Sequence, residues 1–167
     1  MLIYSKLNKA IVLVAVILLS FLFGCANSYY NKGTAICSLN IDSNGAGTRT
    51  IICESPQGSI EKTVVGGKVA LDSFININCP SVMSYNSIDE NTYEFKVGFS
   101  DFKDYKMKMS ALTGRNANIV LGTPDNIFAK GFCLKEDFSN RDLMSWLYNK
   151  MHDEGIVEAG KELWDFN

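Results

Sequence analysis

The sequence predicts an α+β domain with a mostly antiparallel β-sheet and two to three packed helices, preceded by an apolar N-terminal signal helix. Three observations support this fold class. Two β-rich stretches flank an Asn-Gly turn, a later stretch alternates aromatic and polar residues, and two further stretches carry apolar residues at helical spacing. A hairpin followed by helix, strand, helix, strands and helix is an order typical of α+β domains.

The first 24 residues have the organisation of a secretory signal peptide. Lys6 and Lys9 supply positive charge, and the uncharged stretch AIVLVAVILLSFLFG follows them. A membrane-spanning helix needs about 20 apolar residues, so this stretch is short for one. It has the length of the central region of a signal peptide, and residues 1–24 are therefore predicted to be one.

The residues around Cys25 resemble the lipobox of bacterial lipoproteins, in which an aliphatic residue and small residues precede a cysteine. Leu22, Gly24 and Cys25 match this pattern, whereas Phe23 is bulkier than the usual residue. The resemblance implies that the Cys25 sulfur receives a diacylglycerol, whose two acyl chains give stable membrane attachment. An uncleaved anchor helix is the alternative, and both hypotheses place residues 26 onward outside the cytoplasm.

Residues 25–34 are predicted to form a lipid-attached tether ahead of a single extracytoplasmic domain over residues 35–167. The stretch ANSYYNKGT is polar, and a flexible segment of its nine residues spans roughly 15–18 Å. We therefore expect the domain at the outer face of the cell membrane. Its available partners there are lipids, envelope polymers and surface proteins.

The stretches AICSLNI and TRTIICE flank DSNGAG and predict a β-hairpin, because Asn44-Gly45 supplies turn chemistry between β-branched and apolar runs. With the turn centred on Gly45, Cys37 and Cys53 lie opposite each other. Directly opposed residues have Cβ atoms about 4.5–5.5 Å apart. A disulfide between them would need only a modest approach.

Four cysteines follow Cys25, and none of them has the CxxC spacing of a redox site or a zinc ribbon. Outside the cytoplasm an even number favours two disulfides. The hairpin predicts a Cys37–Cys53 bridge, and elimination leaves Cys79 with Cys133. Buried free thiols are the alternative for all four.

The residues after the hairpin predict a helix and then a strand. A helix is expected from about Lys68 to Asn78, where Pro80 stops it. The stretch TYEFKVGFS alternates apolar and polar or small residues, which is typical of a half-buried strand.

Two more helices are predicted in the second half of the chain. Ser100 is expected to cap the first, and Gly114 to end it. Ser139, with Asp142 three residues later, resembles a capping box that opens the second. The stretches ANIVLG and NIFAKGFCL are predicted strands between the two helices. The tail after Asp153 carries enough apolar residues to dock on the domain.

Charge makes nucleic acid an unfavourable partner. The formal net charge of the 167 residues is −2, and the chain after the signal peptide has 14 basic and 18 acidic side chains. A mildly acidic domain attracts phosphate backbones weakly.

No residue pattern predicts catalysis, a cofactor or a metal site. The single histidine, His152, is expected after the last turn of a helix, where a cation suits the helix dipole. Asp89 and Glu90 lie in a predicted loop, and nothing supplies the partner carboxylate of a glycosidase pair. The NGAGTRT stretch lacks the third glycine of a phosphate-binding loop.

A second resemblance extends over residues 35–150. The glycine-bearing hairpin near the anchor, YEFKVGFSDFKDYKMKM and FAKGFCLKEDFSNRDLMSWL together resemble lipoproteins with an LppM-type α+β domain. Element order and the positions of aromatic and charged residues match, rather than a catalytic motif. The resemblance implies a link to envelope glycolipids and transfers no functional residue.

These observations predict a non-enzymatic, lipid-anchored surface domain that binds a lipid, glycolipid or protein at the cell envelope. One alternative is an extracytoplasmic hydrolase, which requires Asp or Glu side chains that converge in a cleft. The other is a structural or adhesive module, which would expose a flat apolar patch instead of a cavity.

Overall fold

The computed structural model describes residues 32–122, 133–158 and 160–166, so the predicted signal peptide and Cys25 lie outside it. Seven strands and five helices occur in these residues. The strands are β1 (Gly33–Ile41), β2 (Gly47–Glu54), β3 (Ser84–Ser87), β4 (Thr92–Phe99), β5 (Ile119–Gly122), β6 (Cys133–Glu136) and β7 (Trp164–Asp165). The helices are α1 (Ser59–Thr63), α2 (Gly67–Asn78), α3 (Phe102–Thr113), α4 (Asn140–Leu143) and α5 (Ser145–Asp153).

Five of the strands form one sheet in the order β3-β4-β2-β1-β7, and β5 pairs with β6 in a separate two-stranded ribbon. Every pairing is antiparallel except that of β1 with β7. The predicted α+β class and mostly antiparallel sheet are therefore confirmed. The described residues contain more helices than the two to three expected, while the signal helix lies outside them.

One face of the sheet is buried against the helices, and the other face is open. Inward residues alternate along β2 and β4, where Ile51 is 2% exposed and Phe95 is fully buried. Helices α2, α3 and α5 supply the opposing apolar side chains. Full burial of each large apolar side chain stabilises the fold by roughly 1.5–3 kcal/mol, so this layer holds the domain together.

The hairpin is confirmed, but its predicted centre is wrong. Ile41 pairs with Gly47, so the turn centres on Asn44 and the register differs from a turn centred on Gly45. Cys37 consequently faces Ile51 rather than Cys53. Diagonal neighbours lie about 7–8 Å apart, beyond the usual Cα separation of a disulfide.

Neither predicted disulfide is present in the structure, in which Cys37, Cys53, Cys79 and Cys133 are free. Cys53 is fully buried, and burial raises the pKa of its thiol. Burial likewise raises the pKa of Cys79. Raised pKa values keep these two thiols protonated, as in the alternative of buried free cysteines.

The predicted helix boundaries are close to the observed ones. Asp101, not Ser100, caps α3, because its side chain accepts a hydrogen bond from the Asp104 amide at 2.8 Å. The Ser100 amide instead donates to the Asp104 carboxylate. Gly114 ends α3 in the left-handed conformation that favours glycine, and the capping box at Ser139 is formed.

Three short elements have no counterpart in the sequence prediction: α1, β3 and β7. The tail docks as expected, and Leu163, Trp164 and Phe166 are buried. Its strand β7 lies beside the first two residues of β1, and the Gly33 amide bonds Leu163 at 2.9 Å. Gly33 and Thr34, which were predicted to belong to the tether, are instead the first two residues of β1.

Glu162 joins both ends of the domain through its carboxylate. It accepts hydrogen bonds from Lys32 at 2.8 Å, from Arg141 at 3.0 Å and from the Tyr148 hydroxyl. Partial burial by itself would raise the pKa of Glu162, but these three donors outweigh it and hold the value at about 2. The ordinary value is 4.5, so the folded state favours the ionised form.

This depressed pKa predicts a loss of stability in acid. As pH falls from about 4.5 towards 2, the unfolded chain takes up a proton at Glu162 before the folded domain does, so the free energy of unfolding decreases. Glu162→Gln should remove this part of the pH dependence in urea titrations at stepped pH. Glu158→Gln, at an exposed carboxylate paired with Lys161, is the control and should keep the wild-type slope. Equal slopes for wild type and Glu162→Gln would contradict the assignment.

Candidate ligand-binding site

A cavity of about 450 Å³ lies among the β1–β2 turn, the start of α3 and the β5–β6 ribbon. Ile41, Phe102, Leu121 and Leu134 give it apolar walls, and the turn residues 42–45 complete the lining. Small-molecule sites usually have about 300–1,000 Å³ and mostly apolar walls with a few polar groups. By size and lining this cavity resembles such a site.

Three separate elements bring the apolar lining residues together. Ile41 is the last residue of β1, and Phe102 is the first residue of α3 after β4. Leu121 and Leu134 are paired across the ribbon. The cavity is therefore a product of tertiary structure, and its lining is spread over more than 90 residues of the chain.

The turn at the cavity rim is held in one shape by Asp42. Its carboxylate accepts hydrogen bonds from the amides of Asn44 at 2.8 Å and Ala46 at 3.0 Å. Gly45 has a φ of 84°, and a Cβ there would lie 3.4 Å from the Phe102 ring. The rim is consequently a rigid polar edge beside an aromatic wall.

A buried ion pair between Arg49 of β2 and Glu136 of β6 lies next to the cavity. Tyr105 follows Phe102 by one helical turn, and Glu136 follows Leu134 on the same side of β6. Arg49 pairs with Leu39, two residues before Ile41 on β1. The cluster of Arg49, Tyr105 and Glu136 thus connects β2 to α3 and β6, two of the elements that line the cavity.

The three side chains of this cluster are joined to one another by hydrogen bonds. Arg49 is 8% exposed, and its Nη1 donates to Glu136 Oε1 at 2.8 Å and Oε2 at 2.9 Å. The same Nη1 donates to the Tyr105 hydroxyl, which donates to Glu136 Oε1. Arg49 Nε donates to Cys37 Sγ at 3.2 Å, and the guanidinium lies 5.4 Å from the Phe138 ring centroid.

Arg49 and Tyr105 keep fixed protonation states within the cluster. Burial by itself would lower the pKa of Arg49, but the neighbouring Tyr105 and Glu136 raise it above its ordinary value. Burial, together with the hydrogen bond to Glu136, raises the pKa of Tyr105. A permanently charged arginine and a neutral tyrosine are suited to holding a carboxylate in place rather than to exchanging protons.

The cavity lining is suited to binding an apolar or amphipathic molecule. Asp42 is the one carboxylate among the described lining residues, and its oxygen Oδ1 already accepts hydrogen bonds from the turn amides. Within residues 32–122, 133–158 and 160–166, no group of three His, Cys, Asp or Glu side chains could hold a metal ion.

Among the described residues, none of the site residues predicted from the sequence lines this cavity. Cys25 lies outside the described residues. His152 lies within the last turn of α5 rather than after it, with its ring centroid 5.0 Å from that of Tyr148. Asp89 and Glu90 are exposed between β3 and β4. Cys79 follows the end of α2, and Cys133 is the first residue of β6. Neither residue contributes to the cavity lining.

The structure buries Tyr93, Phe95, Phe99 and Tyr105 in the core. The sequence patterns did not identify Arg49 or Glu136. A signal for Arg49 existed, because it occupies an inward position of β2 in the same alternation as Ile51 and Cys53. A charged residue at such a position requires a buried partner.

No protein-family model matches the chain, and no curated protein or solved structure matches it significantly. In the part of the chain that the structure describes, no helix is both long and apolar enough to cross a bilayer.

The ion pair predicts a large effect of removing one charge. Glu136→Gln leaves the Arg49 guanidinium buried without its anion, and the free energy of unfolding should fall by on the order of 3 kcal/mol. Chemical denaturation at neutral pH measures the change. As a control, Glu94→Gln removes a more exposed strand carboxylate paired with Lys96 and should cost less than about 1 kcal/mol. Equal effects of the two variants would refute a dominant role for the buried pair.

Proposed function

We propose that this protein is a bacterial lipoprotein anchored through Cys25 at the outer face of the cell membrane, whose domain binds a small apolar or amphipathic ligand. Lipids and glycolipids are the ligand classes of suitable chemistry. The proposal is of a binding protein rather than an enzyme, without a cofactor, a metal or a nucleic-acid partner. It combines the lipobox-like residues before Cys25 with the cavity beside the hairpin turn.

The cavity is the observation that carries the binding part of this proposal. Its volume of about 450 Å³ suits a small molecule, and Phe102 with three aliphatic side chains offers an apolar contact surface. The polar rim at residues 42–45 would leave a headgroup in contact with the polar turn residues and solvent. The resemblance to LppM-type lipoproteins favours a glycolipid among the possible ligands.

One observation favours the alternative function of a structural or adhesive module. On the open face of the sheet, Ile36 is 63% exposed and pairs with Ile52 of β2. Their neighbours on this face are mostly polar, such as Ser38 and Thr50. The apolar area is therefore small for a protein interface, and the cavity supports ligand binding better.

The cavity predicts a position-specific loss of binding. Leu121→Trp adds bulk at the cavity lining, whereas Val120→Trp introduces the same side chain at the adjacent, similarly exposed position, which does not contribute to the lining. We expect 8-anilinonaphthalene-1-sulfonate fluorescence to fall for Leu121→Trp and to stay near wild type for Val120→Trp. Native mass spectrometry of protein purified from its host should show the same difference for any co-purified lipid. Full dye binding by Leu121→Trp would contradict the cavity as the binding site.

Attachment through Cys25 predicts a change of cell fraction. Cys25→Ser should abolish labelling by radioactive palmitate and release the protein from the membrane fraction. Cys37→Ser is the matched control, because Cys37 lies within β1 and should leave labelling unchanged. A Cys25→Ser protein that stays membrane-bound at unchanged size would instead support the uncleaved anchor helix.

A further inference from the structure

We propose that one end of the domain lies on the bilayer and inserts three exposed aliphatic side chains into its interface. We call it the entry end, defined by Val65 before α2, Val69 in its first turn and Ile88 in the β3–β4 turn. The inference rests on the proposed lipid attachment at Cys25, and it assigns a membrane-contacting surface to the folded domain itself.

Chain length brings this end of the domain to the membrane. Six residues separate Cys25 from Lys32, and a fully extended chain spans at most about 3.6 Å per residue, so the two residues lie within roughly 25 Å. Lys32 is fixed to the domain by its ion pair with Glu162. The start of β1 must therefore stay near the bilayer surface.

Strand register places the β3–β4 turn at the same end. Thr34 at the start of β1 pairs with Glu54, which pairs with Thr92 at the start of β4. Ser87, the last residue of β3, pairs with Tyr93. The connecting residues 88–91 consequently project beyond the sheet on the side where the chain enters.

Hydrogen bonds bring the start of α2 to this end as well. Lys68 Nζ donates to Ser87 Oγ at 2.8 Å and to the Tyr93 hydroxyl at 3.0 Å. It also pairs with Asp72 at 3.2 Å. Lys68 thus links the β3–β4 turn to the first turn of α2, with Val69 directly after it in the chain.

The three aliphatic side chains at the entry end are exposed to solvent. Val65 is 59% exposed, Val69 78% and Ile88 51%. The Ile88 amide bonds the Thr92 carbonyl at 2.9 Å, and the Asp89 carboxylate accepts from the Asn91 amide at 2.8 Å, which gives the turn a defined shape. Apolar residues on a defined turn and helix start are suited to insertion at the boundary between headgroups and acyl chains.

The charges near these residues indicate whether electrostatic attraction or apolar contact would hold the entry end on the bilayer. Glu61, Asp89 and Glu90 are acidic, against Lys62 and Lys68. This balance gives no attraction to anionic lipids, so apolar contact must supply the interaction. We therefore expect insertion into neutral phosphatidylcholine and little dependence on salt.

Depth-dependent quenching of added tryptophans tests the proposal. Val69→Trp and Ile88→Trp are made in the full chain, processed in a bacterial host and reconstituted in phosphatidylcholine vesicles with brominated acyl chains. Ile77→Trp is the matched control, since Ile77 is 79% exposed near the other end of the same helix. The native emission of Trp146 and Trp164 is subtracted by measuring the unsubstituted protein.

We expect brominated lipid to reduce the added emission of the residues at 69 and 88 and to leave that of residue 77 unchanged. Equal quenching at all three positions, or none, overturns the proposal. A blue shift at 69 and 88 without quenching also overturns it, because another protein surface then covers the entry end.

Mass measurement of Cys25 separates this test from the proposed function. If Cys25 carries lipid and the protein floats with vesicles but positions 69 and 88 are not quenched, only the present inference fails. If Cys25 carries no lipid and the protein stays out of the vesicle fraction, the proposed anchorage fails, and the inference fails with it.

Discussion

Burial of a single face of the five-stranded sheet is the constraint on which the rest of the structure depends. Tyr93, Phe95 and Val97 of β4 alternate inward against helices α2, α3 and α5, while their neighbours face solvent. Because only one face of the sheet is covered, the helices that pack on the sheet must all lie on that side of it. The β5–β6 ribbon packs there too, through Glu136 and Arg49, and the cavity beside the hairpin turn results from that arrangement.

The sequence predicted the elements whose patterns are local. The two-residue alternation of β4 and the capping box at Ser139 are each contained within a few neighbouring residues. Register and long-range pairing were harder. A five-residue turn with Gly45 in a left-handed conformation moves the hairpin centre to Asn44, and no local pattern distinguishes that turn from a shorter one. The ion pair of Arg49 and Glu136 joins residues that are 87 positions apart in the sequence, so no local pattern around either residue predicts its partner.

The buried ion pair also explains how the cavity keeps its shape. Removal of two charges from water is costly, and such a pair is retained where its geometry is fully satisfied. Here both carboxylate oxygens of Glu136 are bonded, and Tyr105 bridges the two charged groups. An apolar contact at the same position would allow sliding between ribbon and sheet. Contact of Arg49 Nη1 with both oxygens of Glu136 fixes the distance between β2 and β6, and so it holds Leu134 opposite the hairpin turn.

The parallel pairing of β7 with β1 has a consequence for the order of assembly. Lys32 and Glu162 are 130 residues apart, and the edge of β1 beside Gly33 and Thr34 receives its partner from the end of the chain. Contacts of such sequence separation form late and slowly. The first two residues of β1 therefore gain this partner only after residues 164 and 165 have been synthesised. Until then that edge of β1 stays unpaired, and the five-stranded sheet is incomplete.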